Sequence, residues 1–373
     1  MHPVVISGTG LYQPPHTITN AELVASYNLY ADRENTRHAE AIARGEREAL
    51  APSSEAFIER ASGIKQRHVI DKAGVLDPDR MRPHFAPRDD DALSLMAEIG
   101  VAAARQALAA AGREATEVDG VLCAASNMQR AYPAIAVEIQ AALGAGGYAF
   151  DMNVACSSAT FGIQQAVGAV QTGSARRVLV VSPEITSAHL AWMDRDCHFI
   201  FGDVATAVLV ERADEARAAD RWQVLGTRLA TQFSNNIRNN AGFMNRAEDT
   251  DLWGRDTLFR QTGQKVFREV VPLAAAHIEG HLASLELAPQ QVRRYWLHQA
   301  NLHMNQRILN KLIGYADDAD RAPLILDRYA NTASAGSIIA FHDHRADLTA
   351  GDVGLICSFG AGYSVGSVVV RKV

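Results

Sequence analysis

The chain has 373 residues, of which 48% are hydrophobic and 21% are charged, and its formal net charge is -6. This composition can bury one large core or two fused cores, and a small negative charge without long blocks of one sign argues against nucleic-acid binding. The first residues, MHPVVISGTG, lack a basic leader followed by an apolar signal core, and no apolar run approaches the roughly 20 residues that cross a bilayer. We therefore expect a cytoplasmic protein without membrane contact.

Strands and helices are predicted to alternate along the first half of the chain. HPVVISGTGLY predicts a strand, DDALSLMAEIGVAAARQALAAAG an amphipathic helix, and VDGVLCAAS a second strand. The segment from Phe150 to Gly173, FDMNVACSSATFGIQQAVGAVQTG, then predicts the end of a buried strand that runs directly into an apolar helix. This alternation is typical of the α/β class.

The second half repeats this order, with RWQVLGTRLA as a strand, GQKVFREVVPLAAAHIEGHLASLEL as a helix and VRRYWLHQAN as a strand. The spacings also agree. The distance along the chain from Val118 to Cys156 nearly equals the distance from Val292 to Asn331. The next strands, which contain Val178 and Val353, then follow at equal offsets. We therefore predict two similar halves, 1–215 and 216–373, related by an internal duplication.

Two segments interrupt the repeat. Residues 28–54 are charged and permit a helix, but they have no counterpart in the second half, so we interpret them as an insertion and a possible cap over an entrance. Residues 231–251 are rich in Asn and predict a long surface loop, of the kind that often borders a cleft.

A duplicated fold places Cys156 and Asn331 at equivalent strand-to-helix junctions, from which they can face one cleft. His298 ends the central strand of the second half, where open α/β sheets usually bind ligands. A helix beginning at Cys156 would direct its N–H groups at the sulfur and lower the thiol pKa from about 8.5. The alternative is a buried structural cysteine, which is our interpretation of Cys123 and Cys357 within apolar strands.

Metal sites and disulfides are not predicted. The four cysteines are widely spaced, and none belongs to a CxxC pair. The nearest histidine pair, His342 and His344, lies two residues apart, so on a helix the two rings would not share a face.

Seven motifs occur in a characteristic order along nearly the whole chain: GTGLYQPPHTITNAEL, SGIKQRHV, ACSSATFGIQQAV, FIFGDVATAVL, HQAN, ANTASAGSI and SFGAGYSVGS. On these motifs the sequence resembles the thiolase-fold condensing enzymes, and most closely β-ketoacyl-acyl-carrier-protein synthase III. The resemblance implies a five-layered αβαβα fold built from two duplicated halves. It also implies a homodimer.

The resemblance implies roles for individual residues. Cys156 matches the nucleophile that accepts the acyl group from acyl-CoA, and His298 and Asn331 match the pair that supports decarboxylation of malonyl-acyl-carrier protein. The backbone N–H groups of Cys156 and Ala361 match the oxyanion hole. The implied reaction is a decarboxylative Claisen condensation in fatty acid or related biosynthesis, with acyl-CoA and acyl-carrier protein as partners and without a metal or redox cofactor.

The resemblance further implies a coenzyme A site. Phe57 matches the aromatic residue that stacks on the adenine, and Arg195 matches an arginine on the adenine side. Gly263, Phe267 and Asn301 match residues of the pantetheine tunnel.

The sequence departs from the family pattern at several of these places. Ala61 stands where a second adenine-binding arginine is usual, and His303 stands where an arginine usually meets the carrier protein, so Arg307 is the substitute we expect. Tyr132 matches the aromatic residue that closes the acyl pocket across the dimer interface. CSS replaces the more usual CAG at the nucleophile. From these departures and the insertion we expect a primer longer than acetyl, such as a medium-chain acyl group.

Other functions remain possible from the residues alone. An acyl-CoA-dependent O- or N-acyltransferase of specialised metabolism would use the same acylated cysteine, but it would not need both His298 and Asn331. A papain-like protease shares the order Cys, His, Asn but not the duplicated halves. A degradative thiolase would need a second cysteine where Ser358 stands, and a non-catalytic partner subunit would not need Cys156.

Overall fold

The computed structural model describes residues 1–314 and 318–373. Its strands are β1 (Val4–Tyr12), β2 (His16–Thr19), β3 (Gln66–Val69), β4 (Gly120–Ala124), β5 (Tyr148–Met152), β6 (Arg177–Glu184), β7 (Val204–Arg212), β8 (Trp222–Ser234), β9 (Ile237–Arg238), β10 (Arg260–Gln261), β11 (Arg294–Leu297), β12 (Val353–Gly360) and β13 (Gly362–Lys372). Its α-helices are α1 (Asn20–Arg37), α2 (Ala39–Ala43), α3 (Glu55–Ser62), α4 (Lys72–Leu76), α5 (Leu95–Ala111), α6 (Ile135–Leu143), α7 (Ser158–Gln171), α8 (Gly263–Ser284), α9 (Leu302–Ile313), α10 (Leu326–Tyr329) and α11 (Gly336–Asp343).

The two halves of the chain have corresponding strand orders. The first half is ordered β5-β4-β6-β7-β1 and the second β11-β12-β13-β8, and β1 and β8 meet through a short antiparallel pairing. The parallel pair β4 and β6 corresponds to the parallel pair β11 and β12, and each pair is extended by two antiparallel strands. The predicted division near residue 215 lies in the connection from β7 to β8, and the duplication as its origin stays a prediction.

The helices complete the layers. α7 packs against strands of both halves and, together with α11, forms the central layer. α5 and α6 cover the outer face of the first half, and α8 and α9 cover the outer face of the second. Each interface is filled by its own group of buried apolar side chains. The predicted five-layered thiolase-like fold is therefore confirmed.

The sequence explains how closely these layers approach. α5 begins at a Ser94 cap, whose hydroxyl accepts a hydrogen bond from the N–H of Ala97, and ends at Gly112 in the left-handed conformation. β1 carries a glycine at position 10, where a Cβ atom would lie 2.0 Å from the carbonyl oxygen of Ala103. Only glycine permits this contact between β1 and α5.

The segment predicted as an insertion begins within α1 and includes α2. α1 starts with a capping box formed by Thr19 and Glu22, and it packs against α3 and α4 beside the first half. Within the two described ranges, no helix combines the length and apolarity that crossing a membrane requires.

Candidate active site

A cleft of about 510 Å³ lies where the two halves meet. Its wall is built from α3, from the segment before β7, from the first turns of α8 and from the ends of β11 and β12. Cys156, His298 and Asn331 all border this one cleft, although they lie far apart along the chain. The structure thus brings together the three residues that the sequence singled out.

The turn before α7 presents the sulfur of Cys156. The helix was expected to begin at Cys156, but it begins at Ser158, and Ala155 has a left-handed φ of 46°. The Ser158 hydroxyl accepts a hydrogen bond from the N–H of Val154 at 2.8 Å and donates to the carbonyl of Ala155 at 2.7 Å. Cys156 therefore lies in the turn that precedes α7, where it forms part of the cleft wall.

The two serines after Cys156 are structural. Ser157 and Ser158 are both buried and do not border the cleft. The Ser157 hydroxyl accepts a hydrogen bond from the Ser364 hydroxyl at 2.9 Å, which joins the turn to β13. Neither serine lines the cleft, so an influence of the CSS motif on the acyl preference would have to act through the position of this turn, and it stays a prediction.

The thiol pKa differs from the sequence-based expectation. The pKa of Cys156 is raised to about 12, chiefly by burial and also by the charge of Glu184, while hydrogen bonding from the backbone amides of Ala361 and Cys156 opposes the rise. The expected lowering by the helix dipole does not dominate, because α7 begins only at Ser158, two residues after the nucleophile. The same two amides point at the sulfur, where they can stabilise an oxyanion that forms beside it.

Gly360, the last residue of β12, lets the second half approach Cys156. A Cβ atom at this position would lie 2.6 Å from the Cβ atom and 3.0 Å from the sulfur of Cys156. Any larger residue would displace the nucleophile, so this glycine is required for close approach of the backbone.

His298 follows β11 directly, and its N–H donates a hydrogen bond to the carbonyl of Cys357 at 2.8 Å. Its ring packs edge-on against Phe359, with 5.2 Å between the ring centroids. The ring Nδ1 atom is buried and has no hydrogen-bond partner within the described residues. Burial lowers the pKa of His298 to about 4, so the imidazole is neutral at pH 7.

Asn331 is held by its own turn. Its N–H donates to the carbonyl of Ile200 at 2.9 Å, and its side-chain oxygen accepts from the N–H of Ala333 at 2.9 Å. Ala333 has a left-handed φ of 48°. Because the side-chain oxygen is occupied, the NH2 group is the part of Asn331 that can donate to a ligand in the cleft.

Phe57, predicted to stack on the adenine, and the predicted tunnel residues Gly263, Phe267 and Asn301 all border the cleft. The side chain of Asn301 also joins two helices. Its side chain caps α9 through a hydrogen bond from the N–H of His303 at 2.9 Å, and it donates to the carbonyl of Ala61 at 2.7 Å. Its polar atoms are therefore already used in joining α9 to α3.

Arg195 does not border the cleft, although it was predicted as an adenine contact. Its guanidinium carbon lies 3.9 Å from the centroid of the Phe57 ring, and its Nε donates to the carbonyl of Pro52 at 2.7 Å. Arg195 thus covers one face of the Phe57 ring in this structure. Ala61 borders the cleft and adds no charge there.

The insertion supports the mouth of the cleft from one side. Pro52 accepts the hydrogen bond from Arg195, and the Ser53 hydroxyl lies 3.1 Å from the Nε2 of buried His198. The cleft wall itself contains no residue of 28–54. The segment therefore contacts residues beside the mouth, and its role as a cap stays a prediction.

Tyr132, predicted as the gate of the acyl pocket, is 84% exposed and borders neither this cleft nor a second cavity of about 550 Å³ beside it. The wall of the second cavity combines apolar residues, among them Met96, Met128 and Ile185, with polar and charged residues such as Arg88 and Asp90. His189 belongs to its wall and packs against Phe201 of the cleft, with 5.3 Å between ring centroids.

Sequence reasoning missed Glu184. This residue ends β6, is 1% exposed, and borders the second cavity. The signal in the sequence was a single carboxylate at the end of the otherwise apolar strand VLVVSPE.

Two family models match the chain. The model described as 3-Oxoacyl-[acyl-carrier-protein (ACP)] synthase III matches residues 150–232, and the model of the C-terminal part of the same enzyme matches residues 282–372. The first match contains Cys156, and the second contains His298 and Asn331.

Curated relatives match over most of the chain. The chain is 59% identical to a β-ketodecanoyl-[acyl-carrier-protein] synthase from Pseudomonas aeruginosa over 93% of its own length and 99% of the relative's. It is 31% identical to a β-ketoacyl-[acyl-carrier-protein] synthase III from Acidiphilium cryptum over the full length of both chains, 100% in each case.

Similar folds occur among solved structures. A 3-oxoacyl-(acyl carrier protein) synthase III from Pseudomonas aeruginosa PAO1 has a TM-score of 0.77 at 23% identity, covering 99% of this chain and 98% of that chain. The corresponding synthase from Aquifex aeolicus has a TM-score of 0.76 at 24% identity, covering 99% of both chains. At these identities the likeness shows the fold alone.

Proposed function

Because the chain belongs to the 3-oxoacyl-[acyl-carrier-protein] synthase III family of condensing enzymes, we propose that it joins a medium-chain acyl group from acyl-CoA to malonyl-acyl-carrier protein. The observation that carries the proposal is the convergence of Cys156, His298 and Asn331 on one cleft at the junction of the two halves. A nucleophile and two hydrogen-bond donors are what this two-step reaction requires.

In the first step the sulfur of Cys156 attacks the thioester carbonyl of acyl-CoA. The C–S bond to coenzyme A breaks, coenzyme A leaves as its thiol, and Cys156 holds the acyl group. The backbone N–H groups of Cys156 and Ala361 are placed to stabilise the tetrahedral oxyanion. Neutral His298 is able to take up the thiol proton as the sulfur attacks and to pass it to the departing sulfur of coenzyme A.

In the second step the malonyl thioester loses CO2 and leaves an enolate. Its oxygen would accept hydrogen bonds from the imidazole of His298 and from the NH2 group of Asn331. The enolate carbon then attacks the acyl carbonyl on Cys156, a carbon–carbon bond forms, and the sulfur is released as a thiolate that regains a proton. An enzyme that transfers the acyl group to a hydroxyl or amine has no such enolate, so the presence of both donors supports condensation.

The proposed primer has about eight carbons. The relative at 59% identity is named for a β-ketodecanoyl product, which has ten carbons and so requires an eight-carbon primer when malonyl supplies two. The apolar side chains in the wall of the second cavity, among them Met96, Met128 and Ile185, offer contacts for such a chain.

We also propose a homodimer and carrier-protein docking. β5 is an edge strand of the sheet, and Tyr148 and Phe150 on it are 38% and 42% exposed and stack on each other. An exposed apolar edge strand favours pairing with a second copy. Sedimentation of the purified protein should give twice the mass of one chain.

For the carrier protein, Arg307 on α9 is the exposed cation that we assign to docking.

The test is mass spectrometry of the intact protein after incubation with acetyl-CoA and octanoyl-CoA. Wild type should gain the octanoyl group faster than the acetyl group, and Cys156→Ala should gain neither. Faster transfer from acetyl-CoA would refute the medium-chain primer, and the absence of any adduct would refute the acyl-enzyme.

A second variant separates condensation from simple transfer. Asn331→Ala should form the acyl adduct but fail to release CO2 from malonyl-acyl-carrier protein, because it lacks one donor to the enolate. If wild type acylates but releases no CO2 from that substrate, the acyltransferase alternative replaces condensation.

A further inference from the structure

A buried carboxylate lies behind the active site, outside the steps above. Glu184 is 1% exposed, and its oxygens accept hydrogen bonds from the N–H of Ser126 at 2.9 Å, from the Ser126 hydroxyl at 2.5 Å and from the N–H of Ser334 at 3.2 Å. The Ser334 hydroxyl donates to it as well. Within the described residues, no Lys, Arg or His forms an ion pair with Glu184.

One end of this cluster supports the turn of Asn331. Ser334 comes three residues after Asn331, and between them Ala333 is held in the left-handed conformation. Such a conformation costs about 1 to 3 kcal/mol for a residue other than glycine and persists only where the surroundings impose it. The two hydrogen bonds from Ser334 to Glu184 supply that restraint from the first half of the molecule.

The other end supports the turn of Cys156. The carbonyl of Ser126 accepts a hydrogen bond from the side chain of Asn153 at 2.9 Å, and the side-chain oxygen of Asn153 accepts from the N–H of Ala155 at 2.8 Å. Ala155 is the second left-handed residue of the site and immediately precedes Cys156. A continuous chain of hydrogen bonds thus joins the nucleophile's turn to the turn of Asn331 through Glu184.

We propose that Glu184 is a positioning residue for condensation, because its carboxylate fixes the distance between the turns of Cys156 and Asn331 and places a negative charge behind the sulfur. The expected effect of Glu184 on turnover rests on the proposed function. The positioning matters most when the acyl group on Cys156 and the enolate held by Asn331 must meet, since a displacement of about 1 Å can cost 100-fold in rate.

The charge of Glu184 also affects the pKa of the Cys156 thiol. Glu184 is the charged group that raises the pKa of Cys156 after burial, and burial raises the pKa of Glu184 itself to about 7. The other titratable groups at the cleft are His298, whose pKa burial lowers to about 4, and Asp196, whose side chain is 86% exposed at the mouth. Cys123 on β4 has a thiol pKa that is raised by burial first and then by the charges of Asp151 and Glu184.

The test compares Glu184→Gln, Glu184→Ala and the control Glu211→Gln. Glu211 is an equally buried carboxylate on β7, but it pairs with Arg113 away from the cleft. For each variant we would measure the melting temperature, the pH dependence of Cys156 alkylation by iodoacetamide, the rate of acylation by octanoyl-CoA and the rate of condensation with malonyl-acyl-carrier protein.

Glu184→Gln keeps the shape and removes the charge, so alkylation of Cys156 near pH 7.5 should become severalfold faster and condensation should fall less than in Glu184→Ala. Glu184→Ala removes the link between the turns, so condensation should fall about 10- to 100-fold while acylation falls less than about 3-fold. Glu211→Gln should leave the alkylation profile and the ratio of the two rates unchanged.

Two results would overturn the inference: an alkylation profile of Glu184→Gln that coincides with wild type, or equal losses of acylation and condensation in Glu184→Ala. If Glu184→Ala does not fold, Ser334→Ala tests the same link and should slow condensation more than acylation. If wild type forms no acyl adduct, the proposed function fails, whereas the alkylation comparison still decides the effect of the Glu184 charge.

Discussion

At the scale of single residues, the cleft depends on contacts that leave no room for additional atoms. The sulfur of Cys156 faces the backbone of Gly360 on one side and the amide of Ala361 on the other. This arrangement leaves Cys156 half-buried with a raised thiol pKa, so its reactivity depends on groups that act during the attack.

Replacing Gly360 with Ala should therefore impair acylation strongly. The added methyl group would overlap the Cβ atom of Cys156 at 2.6 Å, and we expect the acylation rate to fall by about 100-fold because the nucleophile must move. Single-turnover acylation by octanoyl-CoA measures the effect.

A matched control is Gly168→Ala in α7, where a Cβ atom would meet no atom within 4 Å. This variant should acylate normally and be stabilised by about 0.5 to 1 kcal/mol, since alanine favours a helix interior. Normal acylation by Gly360→Ala would contradict the packing described here.

At the scale of secondary-structure elements, the turn between β5 and α7 determines where the nucleophile lies. Ser158 closes this turn with bonds to the backbone of Val154 and Ala155, and Ser157 ties it to β13 of the other half. The two serines, which do not line the cleft, therefore set the position of Cys156.

Ser158→Ala should slow acylation by acetyl-CoA and by octanoyl-CoA to the same extent. The variant leaves the N–H of Val154 without its acceptor, which should cost about 1 to 3 kcal/mol of the free energy of unfolding and loosen the left-handed turn. Denaturant titration and acylation rates with the two thioesters provide the measurements. A change in the ratio of the two rates would show that Ser158 does influence chain-length preference.

At the scale of the whole molecule, many histidines are held neutral in the interior. Burial lowers the pKa values of five of them to about 3 or 4, namely His189, His198, His277, His281 and His298. In the unfolded chain these groups take up protons near pH 6.5. Their contribution to stability is present above that pH and is lost as the pH falls toward 4.

The melting temperature should accordingly decrease from pH 7.5 to pH 4.5 in differential scanning calorimetry. Two buried acids act in the opposite direction, because burial raises the pKa of Glu184 to about 7 and that of Asp203 to about 6. Their contribution to the free energy of unfolding is present at low pH and is lost as the pH rises through these values. Glu184→Gln removes one opposing group and should steepen the decrease. A melting temperature that stays constant or rises on acidification would contradict this account.

Much of the site could be predicted because the relevant signals are local or periodic. Cys156 stands at a strand-to-helix junction, and Asn331 stands at the matching distance along the second half of the chain. His298 ends the central strand of that half. The duplicated pattern therefore related the three residues to one cleft. The position of Arg195 and the roles of Ser157 and Glu184 could not be predicted, because each depends on a partner that is distant in the sequence or in the other half of the chain.

The sequence by itself determined the alternation of strands and helices, the family and the identity of the three residues at the cleft, because hydrophobic periodicity and ordered motifs are properties of the chain as written. Only the tertiary structure decided the protonation of Cys156, the stacking of Arg195 on Phe57 and the link through Glu184. These depend on burial and on distances between the two halves. Both quantities arise when the layers pack, and the order of residues alone does not specify them.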